Sequence, residues 1–256
     1  MKITQLSTFV FTLLLLNSAA IADPSPAPAW PPGKPAQKVA TLLLTWHDSA
    51  RNRDIPVKIY YPADATKPCP MIIFSHGLGG NREGYSYLGE AWAGAGYISV
   101  HIQHLGSDDA LWKGAGLEAF AQLTQAAANP VNAVNRAIDV KFAIDRMLAL
   151  NKETGSPLKG LVNPDEIGMS GHSFGAWTTL AVVGEKSASG RSFVDPRMFV
   201  DPRIKSAIAM SAPVPGGAAK SAGQFANIAL PVFHMTGTRD DSPHRRDRGR
   251  RPPRPV

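Results

Sequence analysis

A G-x-S-x-G motif constrains the fold of this chain more than any other feature. It spans residues 171–175 and reads Gly-His-Ser-Phe-Gly. A short, largely apolar run at Glu166–Ser170 predicts a buried strand before it, and the run that begins at Ala176 predicts a helix after it. A strand that turns at once into a helix strains the central serine and crowds the positions two residues away, which glycine relieves. The motif therefore predicts an exposed hydroxyl on Ser173 at the carboxyl edge of a sheet.

A second motif lies upstream of the first and is expected to contribute to the same site. The apolar run Met71–Phe74 ends in the glycine-rich loop Ser75–Gly80, which reads Ser-His-Gly-Leu-Gly-Gly. In folds with a nucleophile elbow, the loop after the third strand supplies a backbone N–H for the oxyanion of the reaction. Glycines let that backbone approach a substrate closely. The order and spacing of the two motifs predict an α/β-hydrolase fold.

These residues resemble the platelet-activating-factor acetylhydrolase-like and predicted dienelactone-hydrolase-like group, with bacterial polyester hydrolases as more distant relatives. The similarity runs from about Thr41 to Pro243. It implies Ser173 as the nucleophile and the N–H groups of Leu78 and Phe174 as oxyanion donors. True dienelactone hydrolases carry cysteine at the nucleophile position, so the serine implies cleavage of ordinary carboxylic esters. The resemblance implies neither a cofactor nor a metal ion.

The general acid–base partners of the serine are less complete in the sequence. A serine nucleophile needs a histidine base and a carboxylate that orients it, in the chain order Ser, acid, His. Asp241 is the favoured acid because it matches the family's acid just before a serine, and Asp240 is the alternative. His244 is the only histidine after Asp241. It follows by three residues with no strand between, so it is a candidate base in an unexpected place.

The other histidines near the motifs have simpler interpretations. His172 is interpreted as a pocket-lining or core residue, and His76 sits in the oxyanion loop without a clear route to the nucleophile. His234 lies inside a predicted strand and is interpreted as a buried packing residue. His101 and His104 end a strand at the same edge. They could form a metal site, but no third ligand is apparent, so roles in packing or the substrate pocket are preferred.

Strands and helices alternate along the chain, which predicts an α/β fold with a mostly parallel sheet and helices on both faces. Two leading strands, 40–46 and 55–61, are predicted to be antiparallel. The later strands are predicted at Met71–Ser75, Tyr97–Ile102, Glu166–Ser170, Ile204–Met210 and Pro231–Met235, and the helices near Tyr85–Ala95, Leu117–Ala127, Pro130–Leu150 and Ala176–Gly184. The segment Leu117–Asn129 is interpreted as either a lid over the site or an ordinary covering helix.

The amino-terminal residues predict export. Residues 1–22 combine Lys2, an apolar stretch and an Ala20-Ile21-Ala22 cleavage pattern, which together are typical of a signal peptide. The apolar stretch is too short to cross a bilayer, so we expect a periplasmic or secreted protein without a membrane-spanning segment after cleavage. Residues 23–39 are rich in proline and alanine and predict an unstructured lead-in.

Charge and cysteine content exclude other classes. The net charge is +7, but residues 245–256 hold six arginines and one aspartate, which is +5 and leaves +2 for the rest. Basicity thus belongs to the tail and not to the domain, so nucleic acid is not an expected partner. Cys69 is the single cysteine, so no disulfide can form within the chain. The expected partner is a small-molecule or lipid-like ester, and the oligomeric state stays open.

The composition changes abruptly near Pro243. We predict a hydrolase domain at 40–243, incomplete at its carboxyl end with the last strand missing, and a basic disordered tail at 244–256. A shifted reading frame or truncated gene would account for the tail. Three functions follow as hypotheses: an exported serine esterase, a catalytically inactive truncated hydrolase that lacks its base, and a binding protein with a basic tail.

Overall fold

The computed structural model describes residues 37–186, 196–213 and 223–237. The predicted signal peptide, most of the lead-in and the basic tail lie outside this part of the chain, as do Asp240, Asp241 and His244. The strands are β1 (Val39–Asp48), β2 (Arg53–Pro62), β3 (Cys69–Ser75), β4 (Ile98–Ile102), β5 (Val162–His172), β6 (Ile204–Met210) and β7 (Val232–Met235). The α-helices are α1 (Ser86–Gly94), α2 (Ala119–Ala128), α3 (Pro130–Leu150) and α4 (Phe174–Val183). Every predicted strand and helix is present within a few residues of its expected bounds.

The described strands form a single sheet in the order β1-β2-β4-β3-β5-β6-β7. β1 and β2 form the predicted antiparallel pair, and β2 also runs antiparallel to β4. From β4 to β7 every neighbouring pair is parallel. This mixed, mostly parallel sheet with helices confirms the predicted α/β-hydrolase fold.

Helices cover the two faces of this sheet. α1 packs against β2 and β4, where Trp92 lies 6.2 Å from the ring of Phe74. α3 and α4 pack over the central parallel strands. The core between the sheet and these helices includes the fully buried residues Met71, Ile73 and Ile144. Burial of such alternate apolar residues of the central strands stabilises the packing of the helices on the sheet.

α3 changes character along its length. Asn129 caps it through a bond from the N–H of Val131, and Pro130 occupies its first turn. Its first half buries the polar residues Asn132, Arg136 and Asp139, whereas its second half buries apolar residues such as Ile144 and Met147. Four apolar residues recur along this helix at helical spacing, but they do not form its most buried face: Val131 is exposed, and Val134, Ile138 and Phe142 are half-buried.

α2 contacts α3 and the 3-10 turn at Asp109–Leu111, and only Ala126 of its residues is buried. A side chain of this helix, Leu123, lies close to Gly79 in the oxyanion loop. The segment therefore rests on the loop at the edge of the site and does not cover the core. Among the helices of the three described ranges, none combines the length and apolar character needed to cross a bilayer.

The prediction that His234 is buried is wrong. His234 is exposed on β7, and the ring of Phe225 is its aromatic neighbour at 6.3 Å. β7 is the last strand in the order of the described sheet, so within the described residues it has a neighbouring strand, β6, on one side only. Cys69 begins β3, and burial raises the pKa of its thiol; a buried, protonated thiol is a poor nucleophile.

Glu185 follows α4 and carries a buried carboxyl group. Among the residues that the structure describes, none forms a hydrogen bond with its Oε2, and burial raises its pKa from 4.5 to about 7. The folded protein therefore favours the protonated acid, and this group costs stability as pH rises from about 4.5 to about 7, above which the cost is constant.

Replacing Glu185 with glutamine is expected to remove that cost. The free energy of unfolding should match wild type near pH 4 and exceed it by about 3 kcal/mol at pH 8. Urea unfolding at both pH values measures the difference, with Glu166→Gln as the matched control because Glu166 is exposed. An equal gain at both pH values would contradict a titrating Glu185.

Candidate active site

Ser173 has the backbone conformation that a nucleophile elbow requires. It lies between β5 and α4 with φ 53° and ψ −114°, a region that non-glycine residues occupy only under strain, at a cost of about 1–3 kcal/mol. Its N–H donates to the carbonyl of Met210, and its carbonyl accepts from Trp177. The turn is thus fixed by β6 on one side and by the first turn of α4 on the other, and Ser173 is half-buried.

The two flanking glycines leave no space for a side chain. A Cβ on Gly171 would lie 2.3 Å from the carbonyl oxygen of Gly175, and one on Gly175 would lie 1.9 Å from that of Ser75. Both distances are far below van der Waals contact. The sequence expectation that crowding requires glycine at these positions therefore has a direct steric cause.

The sheet brings the oxyanion loop to the elbow. β3 and β5 are parallel neighbours, and Ser75 pairs with Gly171 at their carboxyl ends. The loop that follows β3 and the turn that follows β5 therefore start side by side. A Cβ on Gly77 would lie 3.5 Å from the Cβ of Ser173 and 3.4 Å from Nδ1 of His172. The structure thus brings the loop that carries Leu78 next to Ser173, with Phe174 at the start of α4.

Hydrogen bonds hold the oxyanion loop in place at Gly79, the residue that follows Leu78. Gly79 has φ +72°, and its N–H donates to the carbonyl of Ser107 over 2.9 Å. The indole N–H of Trp112 donates to the carbonyl of Gly79 over 2.7 Å. Leu78 itself is half-buried. Its peptide is held in place by bonds to its neighbours, as an oxyanion donor requires.

A buried arginine, which the sequence analysis did not single out, lies behind both loops. Arg136 on α3 is 0% exposed. Its Nη2 donates to Ser75 Oγ over 3.0 Å and to the carbonyl of His76, and its Nε donates to Thr178 Oγ1 over 3.0 Å. Burial lowers the pKa of Arg136 to about 9, so the side chain stays charged at neutral pH. A charged residue within a helix is usually solvated, so the sequence alone gives no reason to place Arg136 in the interior.

A second Ser-His-Asp chain lies in the interior. His104 Nε2 is 2.9 Å from Ser75 Oγ, and His104 Nδ1 is 3.0 Å from Asp139 Oδ2. All three residues are 0% exposed, and Ser75 Oγ also accepts a bond from Arg136. A substrate carbonyl cannot reach this serine, so the chain is an internal hydrogen-bond network and not a second active site.

Charge fixes the protonation of this network. Burial alone would raise the pKa of Asp139, but bonds from His104 and Arg53 and their charges lower it to about 2. Burial, with the charge of Arg136, lowers the pKa of His104 to about 4. At neutral pH the carboxylate is therefore ionised and the imidazole neutral. Arg51 completes the pairing, with Nη1 2.8 Å from Asp139 Oδ1.

Two other histidines, His76 and His101, also form hydrogen bonds in the interior. His76 accepts from the N–H of His104 through Nε2, and its Nδ1 lies 2.6 Å from the carbonyl of Gly77. His101 bonds to the carbonyl of Gly84 and to Ser99 Oγ. Burial lowers the pKa of both rings. Within the three described ranges, no cluster of three His, Cys, Asp or Glu side chains could hold a metal ion.

The remaining predicted residues divide into two sets. His172 is half-buried, with its ring 5.5 Å from that of Tyr85, in agreement with a residue that lines the site. Asp241, its alternative Asp240 and the candidate base His244 fall outside the described residues, so their roles remain predictions. A groove of about 420 Å³ lies elsewhere, along the face of β3, β5 and β6 next to Trp92, and it does not include Ser173.

Two comparisons with known proteins bear on this site. The sequence model of a family described as "Platelet-activating factor acetylhydrolase, isoform II" matches residues 36–114. That range contains the oxyanion loop and ends before Ser173. A platelet-activating factor acetylhydrolase of Cavia porcellus is 28% identical over 155 residues, which is 51% of this chain and 35% of that protein. The match thus spans about a third of the length of this relative, and both comparisons support the family that residues 75–80 and 171–175 predicted.

Proposed function

Taking this chain as a platelet-activating-factor-acetylhydrolase-like α/β hydrolase, we propose that it cleaves carboxylic esters through an acyl-enzyme on Ser173. The observation that carries the proposal is the strained elbow of Ser173, set against the loop of Leu78 by the pairing of Ser75 with Gly171. Strained backbone of this kind clusters at active sites, and here the strained residue is a half-buried serine at the carboxyl end of β5.

Each group has one step in the proposed reaction. Ser173 Oγ attacks the acyl carbon, and the N–H groups of Leu78 and Phe174 stabilise the oxyanion that forms. The base takes the serine proton and passes it to the leaving alcohol, while Asp241 orients the base. Water then attacks the acyl-enzyme, which releases the carboxylic acid and restores the serine. No step requires a cofactor or metal ion.

The substrate and location are part of the same proposal. The relative is named as an acetylhydrolase of platelet-activating factor, and a small or lipid-like ester with a short acyl group is the substrate class that we propose for this chain. The signal-peptide pattern of residues 1–22 supports export to the periplasm or the medium.

Labelling with a fluorophosphonate probe tests the nucleophile. The full chain should react, and trypsin should release the label on the peptide of residues 160–186, which contains Ser173. Excess p-nitrophenyl acetate should compete with the label. Ser170→Ala is the matched control and should label normally, because Ser170 is fully buried three residues upstream. Label on a different serine would overturn the assignment.

Replacing His244 with alanine tests the base. If His244 takes the proton of Ser173, hydrolysis of p-nitrophenyl acetate should fall by at least about 10³-fold, as for loss of a triad member. Unchanged turnover would place the base at another residue. Wild-type turnover no faster than that of Ser173→Ala, with no labelling, would favour the alternative of an inactive hydrolase that lacks its base.

A further inference from the structure

We propose that Arg136 is the positioning residue of the oxyanion hole, holding the peptides of Leu78 and Phe174 in one fixed arrangement. The inference rests on the proposed function of Ser173. Arg136 is fully buried behind the site, and its guanidinium contacts the oxyanion loop, the segment after β4 and the start of α4.

The guanidinium holds the oxyanion loop on both sides of Leu78. Before Leu78, Nη2 donates to the carbonyl of His76 and to Ser75 Oγ. After Leu78, the N–H of Gly79 donates to the carbonyl of Ser107, and Ser107 Oγ accepts from Arg136 Nη1 over 2.8 Å. The peptide of Leu78 therefore lies between two points that Arg136 fixes, directly or through one residue.

The same side chain holds the second donor. Arg136 Nε donates to Thr178 Oγ1, which in turn donates to the carbonyl of Phe174 over 3.0 Å. The guanidinium carbon also lies 4.5 Å from the centre of the Phe174 ring, within the range of a cation–π contact. The first turn of α4 is thus joined to the oxyanion loop through one planar group.

The chemistry of the group explains why arginine stands here. Its rigid fork presents donors in several fixed directions, whereas lysine offers one flexible ammonium. Its charge is balanced through Ser75 and His104 to the ionised Asp139. A positive group beneath the oxyanion also favours negative charge there.

The test combines kinetics with hydrogen exchange on the full chain. Arg136→Lys should lower kcat for p-nitrophenyl acetate by about 10- to 100-fold with KM within twofold, because the interaction acts in the transition state. Thr178→Val keeps its shape and should lower kcat by about threefold to tenfold. In both variants the amides of Gly79 and Gly80, which donate to Ser107 and Gly77, should exchange faster.

Two matched controls separate positioning from stability. Thr179→Val removes the neighbouring buried hydroxyl, which donates to Gly175 and not to Phe174, and should leave kcat and the loop exchange unchanged. Arg53→Lys disturbs another arginine of the Asp139 network, which bonds to Asp139 and the carbonyl of Leu105. It should lower stability without lowering kcat.

The outcomes distinguish this inference from the proposed function. Equal kcat loss in Thr178→Val and Thr179→Val, without faster exchange at Gly79, would overturn the role of Arg136 while Ser173 stays the nucleophile. If wild type shows no ester turnover, the proposed function fails and the exchange measurement alone decides. Faster exchange at Gly79 and Gly80 in Thr178→Val but not Thr179→Val then supports Arg136, and equal exchange refutes it.

Discussion

Replacing Ser173 with alanine is expected to lower the turnover of p-nitrophenyl acetate by about 10³- to 10⁶-fold. The reason is that removal of the nucleophile from a serine hydrolase costs about as much as removal of the whole triad. Initial rates of the two purified full chains measure the effect. Residual turnover in the variant above one-tenth of wild type would contradict Ser173 as the nucleophile.

A glycine at position 173 tests the backbone strain of the elbow separately from the loss of the nucleophile. Ser173→Gly should be as inactive as Ser173→Ala, yet it should raise the free energy of unfolding by about 1 kcal/mol, because glycine adopts φ 53° without strain and loses only part of this gain to backbone entropy. Ser173→Ala should leave stability near wild type. A Ser173→Gly variant less stable than Ser173→Ala would show that the elbow is not strained.

The second large effect is on folding. Gly175→Ala should lower the free energy of unfolding by more than about 3 kcal/mol or prevent folding, because its Cβ would lie 1.9 Å from a carbonyl oxygen of β3. The clashing carbonyl belongs to Ser75, which pairs with Gly171 of β5, so this end of β3 cannot move away without breaking that pairing. Urea unfolding followed by tryptophan fluorescence measures the loss.

Gly168→Ala is the matched control for this effect. It adds the same methyl group to β5, but the nearest atom, Ser206 Oγ, would be 3.6 Å away, an ordinary contact. We expect its stability to stay within about 1 kcal/mol of wild type. Equal losses in the two variants would show that the loss in Gly175→Ala does not come from the crowding at the elbow.

The fold could be predicted from the sequence because its signals are local. Alternation of apolar runs gave the order of strands and helices, and the spacing of glycines gave the elbow. β5 is longer than predicted, Val162–His172 against Glu166–Ser170. Its first residues include exposed polar side chains such as Asp165, which carry no apolar pattern, and the strand begins at Val162, which pairs with Cys69 of β3.

The interior of the site could not be predicted in the same way. Arg136 and Asp139 look like solvated charges in a linear sequence, and only the fold shows that they meet Ser75 and His104, which come from two other elements. His234 was misplaced for a related reason: residue type and strand pattern do not reveal whether a neighbouring element covers an edge strand. Contacts between distant segments decide both cases.

The two halves of α3 should differ in mutational tolerance. Near its start, Asn132, Arg136 and Asp139 are selected by bond direction, and no natural side chain reproduces the guanidinium fork. Near its end, Ile144 and Met147 are selected by volume, so exchanges among leucine, isoleucine and methionine should cost less than about 1.5 kcal/mol. In a library that randomises this helix, surviving sequences should therefore be nearly fixed over the first turns and varied over the last ones. The boundary between the two regions would separate the residues of α3 that hold the proposed site from those that pack in the core.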